Sequence, residues 1–529
     1  MSDAIRHPVF LETPGVWHPI TSNYFNGCLI TPTSSLQPPT PFRITMLLGI
    51  DLGTGSVKAL LLNPDGTVLA EASHTYPVQS PKPGWAETDP EAWWSAVAIA
   101  IHQVIAKSSH PVEAIGLSGQ MHGAVLADKE GYALRPAILW ADMRSSEVLD
   151  VYRQLPTDLL TRLSNPITAG MAGPTLLWLR QAEPDTYAAT RWVLQPKDWL
   201  RLQLTGEVTA EPSDASGTLL YDVQADRWAL EVMEALQLRT DWLPPLIPSN
   251  RIAGHLTPQA AQHLGLKAGI PVIAGAADTA AAILGSNLLE PGSVQLTVGT
   301  GAQIITPLAQ PDADSSLRTH LYRAALPQQW YRLAAIQNAG LALEWVRGIL
   351  GFSWPEVYSE ANLVPPGCEG LTFLPYLTGE RTPHLDPHAK GSWTGLGLHH
   401  TRSHLMWAAL EGVAFAIKQG LEAIAPADAP IPHLRLAGGG TLEPAWRQLL
   451  ATVLQIPLYS ITVPAASARG AAILAGLGIG IYGDEQAIPP LSVPSTSTVP
   501  EPFTPELEAA WIRFQTLYPA LREWRSQLL

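Results

Sequence analysis

Cysteine is almost missing from this chain: Cys28 and Cys368 are the only two in 529 residues. They allow neither a disulfide framework nor a cysteine metal site, and a reducing compartment, the cytosol, is the expected location. Positive charge is short as well. Lys and Arg number 32 against 46 Asp and Glu, a formal net charge of −14, and that excess repels nucleic acid and anionic membrane surfaces. Long apolar runs are also lacking. The most apolar stretch, residues 270–289, is interrupted by Asp278, Thr279 and Ser286, so it reads as strand, turn and buried helix rather than as a membrane span. What remains open as a partner is a small molecule, or an anion complexed by Mg²⁺.

The chain is rich in apolar residues, at 46% hydrophobic against 15% charged, which suits a well-buried globular enzyme and excludes disorder over most of its length. Its length exceeds what one hydrophobic core supports, so two or more domains are expected. Residues 1–45 differ, being rich in Pro, Thr and Ser with no periodic apolar face, as in a flexible extension. Met46 stands directly before the first strand pattern and is the expected natural start.

A short glycine pattern occurs twice. Asp51-Leu52-Gly53-Thr54-Gly55-Ser56 precedes the apolar run from Val57 to Leu62, and Val298-Gly299-Thr300-Gly301 leads into Ala302-Gln303-Ile304-Ile305. Each reads as strand, tight turn, strand. Glycine permits the positive φ expected in such a turn and lets main-chain N–H groups approach an anion closely. A bare Gly-Thr-Gly more often binds nothing, but two of them suggest a nucleotide gripped between two similar domains. A carboxylate beside phosphate-facing amides makes electrostatic sense only with a cation between them. Asp51 is therefore the candidate for steering Mg²⁺, through water.

The intervening pattern alternates strand and helix, giving an α/β class with helices on both sheet faces. Asn63-Pro64-Asp65-Gly66 has turn chemistry, and Asp89-Pro90-Glu91 starts a helix with a cap and a first-turn proline. A strand over 114–117 ends in Ser118-Gly119-Gln120-Met121-His122-Gly123, which sets polar side chains at a strand's carboxyl end, where ligands bind in open α/β sheets. Residues 271–275 read as a strand, 276–278 as a turn and 279–285 as an alanine-rich helix, with a domain boundary near 290. Downstream come a strand over 433–437, Gly438-Gly439-Gly440, a helix around 446–454, a strand over 457–463 and a helix over 468–477. Residues 488–504 read as a surface connection before a closing helix.

Several residues carry both a plain and a chemical reading. Asp278 is either the N-cap of the helix behind it or a general base for a hydroxyl proton, and the two roles are compatible. Gln120, Met121 and His122 either line a strand end or contact a polyol. The glycines at 438–440 are a turn or an adenosine seat, and they lack the spacing of a dinucleotide fingerprint. Trp85, Trp93, Trp94 and Trp140 read mostly as core, with stacking on a sugar as the alternative. Asp142 and Arg144 read as an exposed ion pair or a domain-closure contact, and neither is assigned.

Taken together, these features resemble the FGGY carbohydrate kinases from Met46 to the C-terminus. The family's second signature is matched by Gly391-Ser392-Trp393-Thr394-Gly395-Leu396, then seven residues, then His404-Leu405-Met406-Trp407-Ala408-Ala409-Leu410-Glu411. Segments like those of its xylulokinase members include Gly84 to Pro90, Gly119 to Gly123, Arg135 to Trp140, Gln195 to Asp198 and Leu374 to Pro383. The resemblance implies two actin-like (ribonuclease H-like) ATPase domains flanking a catalytic cleft: a flexible extension over 1–45, a sugar-binding domain over 46–290 and an ATP-binding domain over 291–529. It implies ATP and Mg²⁺, with Asp278 as base and Asp51 near the metal. Gln120, Met121, His122 and Thr279 would face the sugar. Gly53, Thr54, Gly55, Gly299, Thr300, Gly301 and Gly438 to Gly440 would serve ATP. Two positions depart from the family pattern. Thr279 replaces the Asn that normally follows the base, and Gly301 stands where Ser is common. The implied reaction is phosphorylation of D-xylulose at its terminal hydroxyl. Another sugar, D-ribulose or a polyol, and an actin-like ATPase without kinase activity are the rivals. The implied partners are a ketose and Mg-ATP, with homodimerisation left open.

Overall fold

The computed structural model describes residues 45–360, 363–425, 430–439, 442–491 and 496–527. Gly440, Cys28 and the expected extension, apart from Thr45, lie outside the described residues. The first sheet begins at Met46. Strands β1 (Met46–Leu52), β2 (Ser56–Leu62) and β3 (Val68–Thr75) run antiparallel in succession, and β2 turns into β3 through the predicted Asn63–Gly66 turn, where the Gly66 N–H donates to the Asn63 carbonyl at 2.9 Å. Helix α1 (Pro90–Ile105) starts as its sequence requires: the Asp89 side chain accepts from the Glu91 N–H, and Pro90 takes the first position, where no N–H is needed. Strand β4 (Val112–Gly119) returns parallel to β1. Helix α2 (Pro196–Thr205) follows, then edge strand β5 (Ile252–His255) and β6 (Pro271–Ile273). Two-residue β7 (Ala276–Ala277) pairs with β4, completing a seven-stranded sheet in the order β5-β6-β4-β1-β2-β3 with β7 off the path.

Period-two alternation assigns the faces of this sheet. Leu48, Ile50 and Leu52 bury against Trp93, Val97 and Ile101 of α1, whereas Leu47, Leu60 and Ala114 face the other way. That second face meets α3 (Asp278–Gly285) and α7 (Ala466–Gly478). The approach is backbone to backbone: a Cβ built on Gly49 would sit 1.9 Å from the Ala468 carbonyl oxygen, and one on Gly116 would sit 1.8 Å from that of Ala471.

The second sheet repeats the plan of the first. Strands β8 (Gln295–Val298), β9 (Ala302–Leu308), β10 (His320–Arg323), β11 (Trp330–Ile336), β12 (Leu434–Ala437), β13 (Leu458–Ser460) and β14 (Thr496–Thr498) form the order β10-β11-β9-β8-β12-β13-β14. An antiparallel β8–β9 hairpin, a parallel β8–β12 pair and an antiparallel edge match β1–β2, β1–β4 and β6–β5. The predicted connection over 488–504 therefore contains an edge strand, β14, that backbone pairing with β13 stabilises despite its polar composition. Helices α4 (Gly340–Leu350), α5 (Arg402–Ile424), α6 (Pro444–Leu454) and α8 (Pro505–Ser526) accompany this sheet.

Both sheets lie in one compact unit, Ile44–Leu529. Leu47, Ile273 and Ala280 from the first half share a buried cluster with Ile305, Tyr331 and Leu333 from the second. This shared core is the floor beneath the functional residues. No helix among the described residues is long and apolar enough to cross a membrane.

Candidate active site

Strand pairing brings the carboxylates together. Asp51, next to last in β1, lies opposite Ser118 of β4, whose hydroxyl donates to Asp51 Oδ1 at 3.1 Å. On the other side of β4, Ala276 and Ala277 pair with Ser118 and Gly119, so Asp278 emerges at the same end of the sheet. The expected turn at 276–278 is thus a short strand, and the helix begins at Asp278 itself. Asp278 is not an N-cap: Ala277 holds that position and no side chain caps the helix. Asp278 Oδ1 instead accepts from its neighbour's N–H at 2.5 Å and from the Thr279 hydroxyl at 3.1 Å.

Both carboxylates are partly exposed, yet each is poorly solvated. Burial lifts Asp51 above the usual carboxylate range, against the Ser118 hydrogen bond and the Lys58 charge. Asp278 is pushed up to about 7, first by burial and then by the negative charge of Asp51, with its bonds from Thr279 opposing. Two carboxylates that repel each other at the end of a parallel sheet suit a cation placed between them.

The predicted sugar contacts gather beside this pair. His122 holds a left-handed φ of 73°, a conformation that costs a non-glycine residue about 1–3 kcal/mol and persists where packing dictates it. Its Nδ1 lies 2.7 Å from the Gly217 carbonyl, and since a carbonyl only accepts, Nδ1 carries the proton. Burial, and secondarily the Arg381 charge, lower His122 to about 4 despite that bond. The ring is therefore neutral at pH 7, with the Nε2 lone pair available to a hydroxyl. Met121 is buried, and its sulfur accepts from the Tyr331 hydroxyl at 3.7 Å. Gln120 behaves differently from the expected ligand: its Nε2 donates to the Gly53 carbonyl at 3.2 Å, bracing the first turn, and its buried Oε1 has no partner.

The two Gly-Thr-Gly turns join β1 to β2 and β8 to β9 as expected. None of Gly53, Gly55, Gly299 and Gly301 has a positive φ, which corrects the conformational reason given for them. Space is the reason at two of them: a Cβ on Gly53 would meet the Ser56 carbonyl at 2.9 Å and one on Gly301 the Ile336 carbonyl at 2.6 Å, whereas at Gly55 nothing lies within 4 Å and at Gly299 the contact is an ordinary 3.9 Å. Trp140 Nε1 donates to Thr54 Oγ1 at 2.9 Å, and the Tyr76 hydroxyl donates to the Gly53 carbonyl. In the second turn, the Gly340 and Leu341 N–H groups at the start of α4 donate to the Gly299 and Thr300 carbonyls at 3.0 and 2.9 Å. Gly438 follows β12 beside this turn with φ of 96°, and a Cβ there would collide with the Val298 carbonyl at 2.2 Å. Gly439 is exposed next to it.

Residue-by-residue reading missed the wall across the cleft. Tyr322 and His320 come from β10 and Tyr331 from β11, with the Tyr322 hydroxyl 2.8 Å from His320 Nδ1 and its ring 5.8 Å from that of His122. No local motif marks them, because the second half delivers them to the first only in three dimensions. Asp142 and Arg144 are buried and not exposed, and Arg144 pairs with Asp142 at 2.7 Å and Glu87 at 2.6 Å. All three belong to the first half, so the pair is not a closure contact. Trp93 is core and Trp94 stacks on His263. Elsewhere, Glu369, His399 and His400 cluster at metal-ligand spacing. However, the Gly397 N–H donates into His400 Nδ1 at 2.8 Å, which leaves the proton on Nε2 and makes this imidazole a cap.

Residues 46–285 match the FGGY family of carbohydrate kinases, N-terminal domain, and residues 294–479 match its C-terminal domain. The xylulose kinase of Escherichia coli K12 is 36% identical over 77% of this chain and 84% of its own length. The chain belongs to the FGGY family of carbohydrate kinases. A xyloylose kinase structure from Brucella ovis superposes on this FGGY kinase with a TM-score of 0.84 at 35% identity, covering 90% of this chain and 100% of that one. The xylulose kinase structure from Rhodospirillum rubrum gives 0.82 at 30%, covering 90% and 99%. As an FGGY member, the protein is an ATP-dependent carbohydrate kinase with the two-domain fold of that family, and the reading as an ATPase without a sugar substrate falls away.

Proposed function

We propose that this kinase converts D-xylulose and ATP to D-xylulose 5-phosphate and ADP, with Asp278 as general base. One observation carries the proposal: Asp278 stands beside a second carboxylate and a neutral His122, with its proton affinity raised to about 7. A base matched to neutral pH takes a hydroxyl proton as the phosphoryl group arrives. Met121 and the His122 Nε2 lone pair offer the apolar and accepting contacts of a ketose, and relatives at 36% and 32% identity are xylulose kinases. The residues from 46 to 290 hold the sugar in this reading, and those from 291 to 529 hold ATP through Gly299, Thr300, Gly301, Gly438 and Gly439. Gly53, Thr54 and Gly55 face its terminal phosphates. In this reading Asp51 would hold Mg²⁺ through water, and the ion would supply charge neutralisation on the phosphates.

Thr279 favours a second reading within the same chemistry. Its hydroxyl is bound to Asp278, which leaves one fewer sugar contact than a longer amide would give and makes D-ribulose or a polyol the alternative acceptor. A panel of ketoses and polyols in a coupled ADP-release assay decides between them. The highest kcat/KM is expected with D-xylulose, and a higher value with any other acceptor overturns that assignment. The Asp278→Asn variant is expected to bind ATP normally and to lose phosphorylation by a factor of about 10² to 10⁴. Turnover near that of the parent would remove Asp278 from the mechanism.

A further inference from the structure

Arg381 is a half-buried cation at the site, and its charge already bears on His122. It lies between Glu380, whose side chain is buried, and Thr382, and both neighbours are locked to the second sheet. Glu380 Oε1 accepts from the Gln337 N–H at 2.6 Å and from the Arg381 N–H at 2.7 Å, while the Thr382 N–H donates to the Ala335 carbonyl at 2.9 Å. The backbone at 381 is thereby fixed next to the second Gly-Thr-Gly turn, because Gly301 abuts the carbonyls of Ile336 and Gln337.

From this anchor the side chain crosses to the other half. Its guanidinium carbon sits 5.3 Å from the ring centroid of Trp140, and Trp140 Nε1 is hydrogen-bonded to Thr54 of the first turn at 2.9 Å. One short chain of contacts therefore runs from the second turn through Gln337, Glu380, Arg381 and Trp140 to the first. No carboxylate among the described residues lies within 4.0 Å of the guanidinium. Glu380 is turned to the backbone N–H groups of Gln337 and Arg381 and not to the guanidinium, and burial pushes its carboxyl up to about 8 although the Arg381 charge opposes the rise. The remaining charge-sensitive neighbours, His122, His320 and Tyr322, are neutral. Although half-buried by surface, Arg381 is poorly solvated, and burial lowers its proton affinity; a guanidinium so placed without a carboxylate partner is costly unless an anion arrives during function.

We propose that Arg381 is a catalytic residue whose guanidinium binds the phosphoryl group in transit between ATP and the sugar hydroxyl. This rests on the phosphoryl transfer proposed above. In that step the bond from Pγ to the β,γ-bridging oxygen breaks and its electron pair leaves with ADP. The sugar oxygen forms the new bond to Pγ, and its proton passes to Asp278. Charge spread over the equatorial oxygens meets the planar donor fork of Arg381, delivered from the half opposite the base. The cation–π contact with Trp140 holds the fork in place before the anion arrives.

The test compares full-length Arg381→Ala and Arg381→Lys with the parent enzyme in steady-state assays, alongside ATP affinity measured by calorimetry. For Arg381→Ala, kcat is expected to fall about 10² to 10³-fold, with ATP affinity and sugar KM within about threefold of the parent. Arg381→Lys should recover part of the loss, and free guanidinium added to Arg381→Ala should raise its kcat by about tenfold or more. A merely structural strap between chain segments cannot be replaced by a free cation, so rescue separates the two roles. The proposal is overturned if kcat stays within about threefold of the parent, if the loss falls on sugar KM alone, or if neither lysine nor guanidinium restores turnover. Should the parent enzyme phosphorylate a different sugar, the D-xylulose assignment fails while Arg381 is judged on the accepted sugar, so the two readings fail separately.

Discussion

Asp278 concentrates the electrostatic conflict of this protein in one side chain. With its proton affinity lifted to about 7 by burial and by Asp51, only the deprotonated fraction serves as a base, so kcat/KM should rise with pH through an ionisation near 7. A pH–rate profile of the parent enzyme checks this, and a profile flat from pH 5 to 8 would contradict it. Stability runs in the opposite direction. A carboxyl whose folded pKa exceeds its unfolded value of 3.8 contributes stability fully below the unfolded pKa, and that contribution is lost as pH rises through about 7. Asp278→Asn should therefore gain more thermal stability relative to the parent at pH 8 than at pH 5, as read by scanning fluorimetry. The residue type and its place after an apolar strand made Asp278 legible as a candidate in the sequence. Its proton affinity was not legible, because the second carboxylate comes from the opposite end of the same half.

At the scale of elements, the segment that presents Asp278 is pinned from behind by a buried polar block. Arg201 of α2 donates to the Ala274 carbonyl at 2.6 Å, and Ser213 Oγ accepts from the Ala277 N–H at 2.9 Å. Ser213 in turn donates to Glu211, which pairs with Lys197 at 3.0 Å. Burial, and behind it the carboxylates of Asp198 and Glu211, raise Asp214 well above the normal range against the pull of Lys197, which lies 3.0 Å from its Oδ2. Ser213→Ala strands the Ala277 N–H at a cost of about 1–3 kcal/mol and should lower kcat more than it raises sugar KM, as steady-state kinetics will read. The α3–α7 contact makes a second element-scale prediction. A Cβ on Gly470 would lie 1.9 Å from the Ala281 carbonyl oxygen, so Gly470→Val should destabilise by about 1–3 kcal/mol or more through overpacking, seen as a lower thermal midpoint. The alanine-rich patterns of both helices were readable in the sequence, but their crossing partner was not, since α7 and α3 lie in different halves of the chain.

For the whole molecule, the decisive feature is one plan built twice and joined over a common floor. The sheets share hairpin, parallel and edge pairings, and each hairpin carries a Gly-Thr-Gly turn at its tip. Because Leu47 and Ile273 share a core with Ile305 and Leu333, rotation of one half toward the other must pivot on this floor and close the cleft above it. Sugar together with a non-hydrolysable ATP analogue should therefore reduce the radius of gyration in small-angle scattering, and an unchanged value would contradict closure.

What the sequence determined by itself was local: the two glycine turns, the capped start of α1, the strand end bearing Gln120 to His122 and the alternation that makes an α/β fold. These follow from backbone preferences and side-chain periodicity acting over a few residues. The tertiary structure alone decided that Asp51 perturbs Asp278, that Gln120 braces a turn, that Tyr322 and Tyr331 face Met121 and His122, and that Arg381 spans the cleft to Trp140. Coulomb energy, desolvation and packing depend on distance in space, and the fold makes neighbours of residues that the chain keeps far apart.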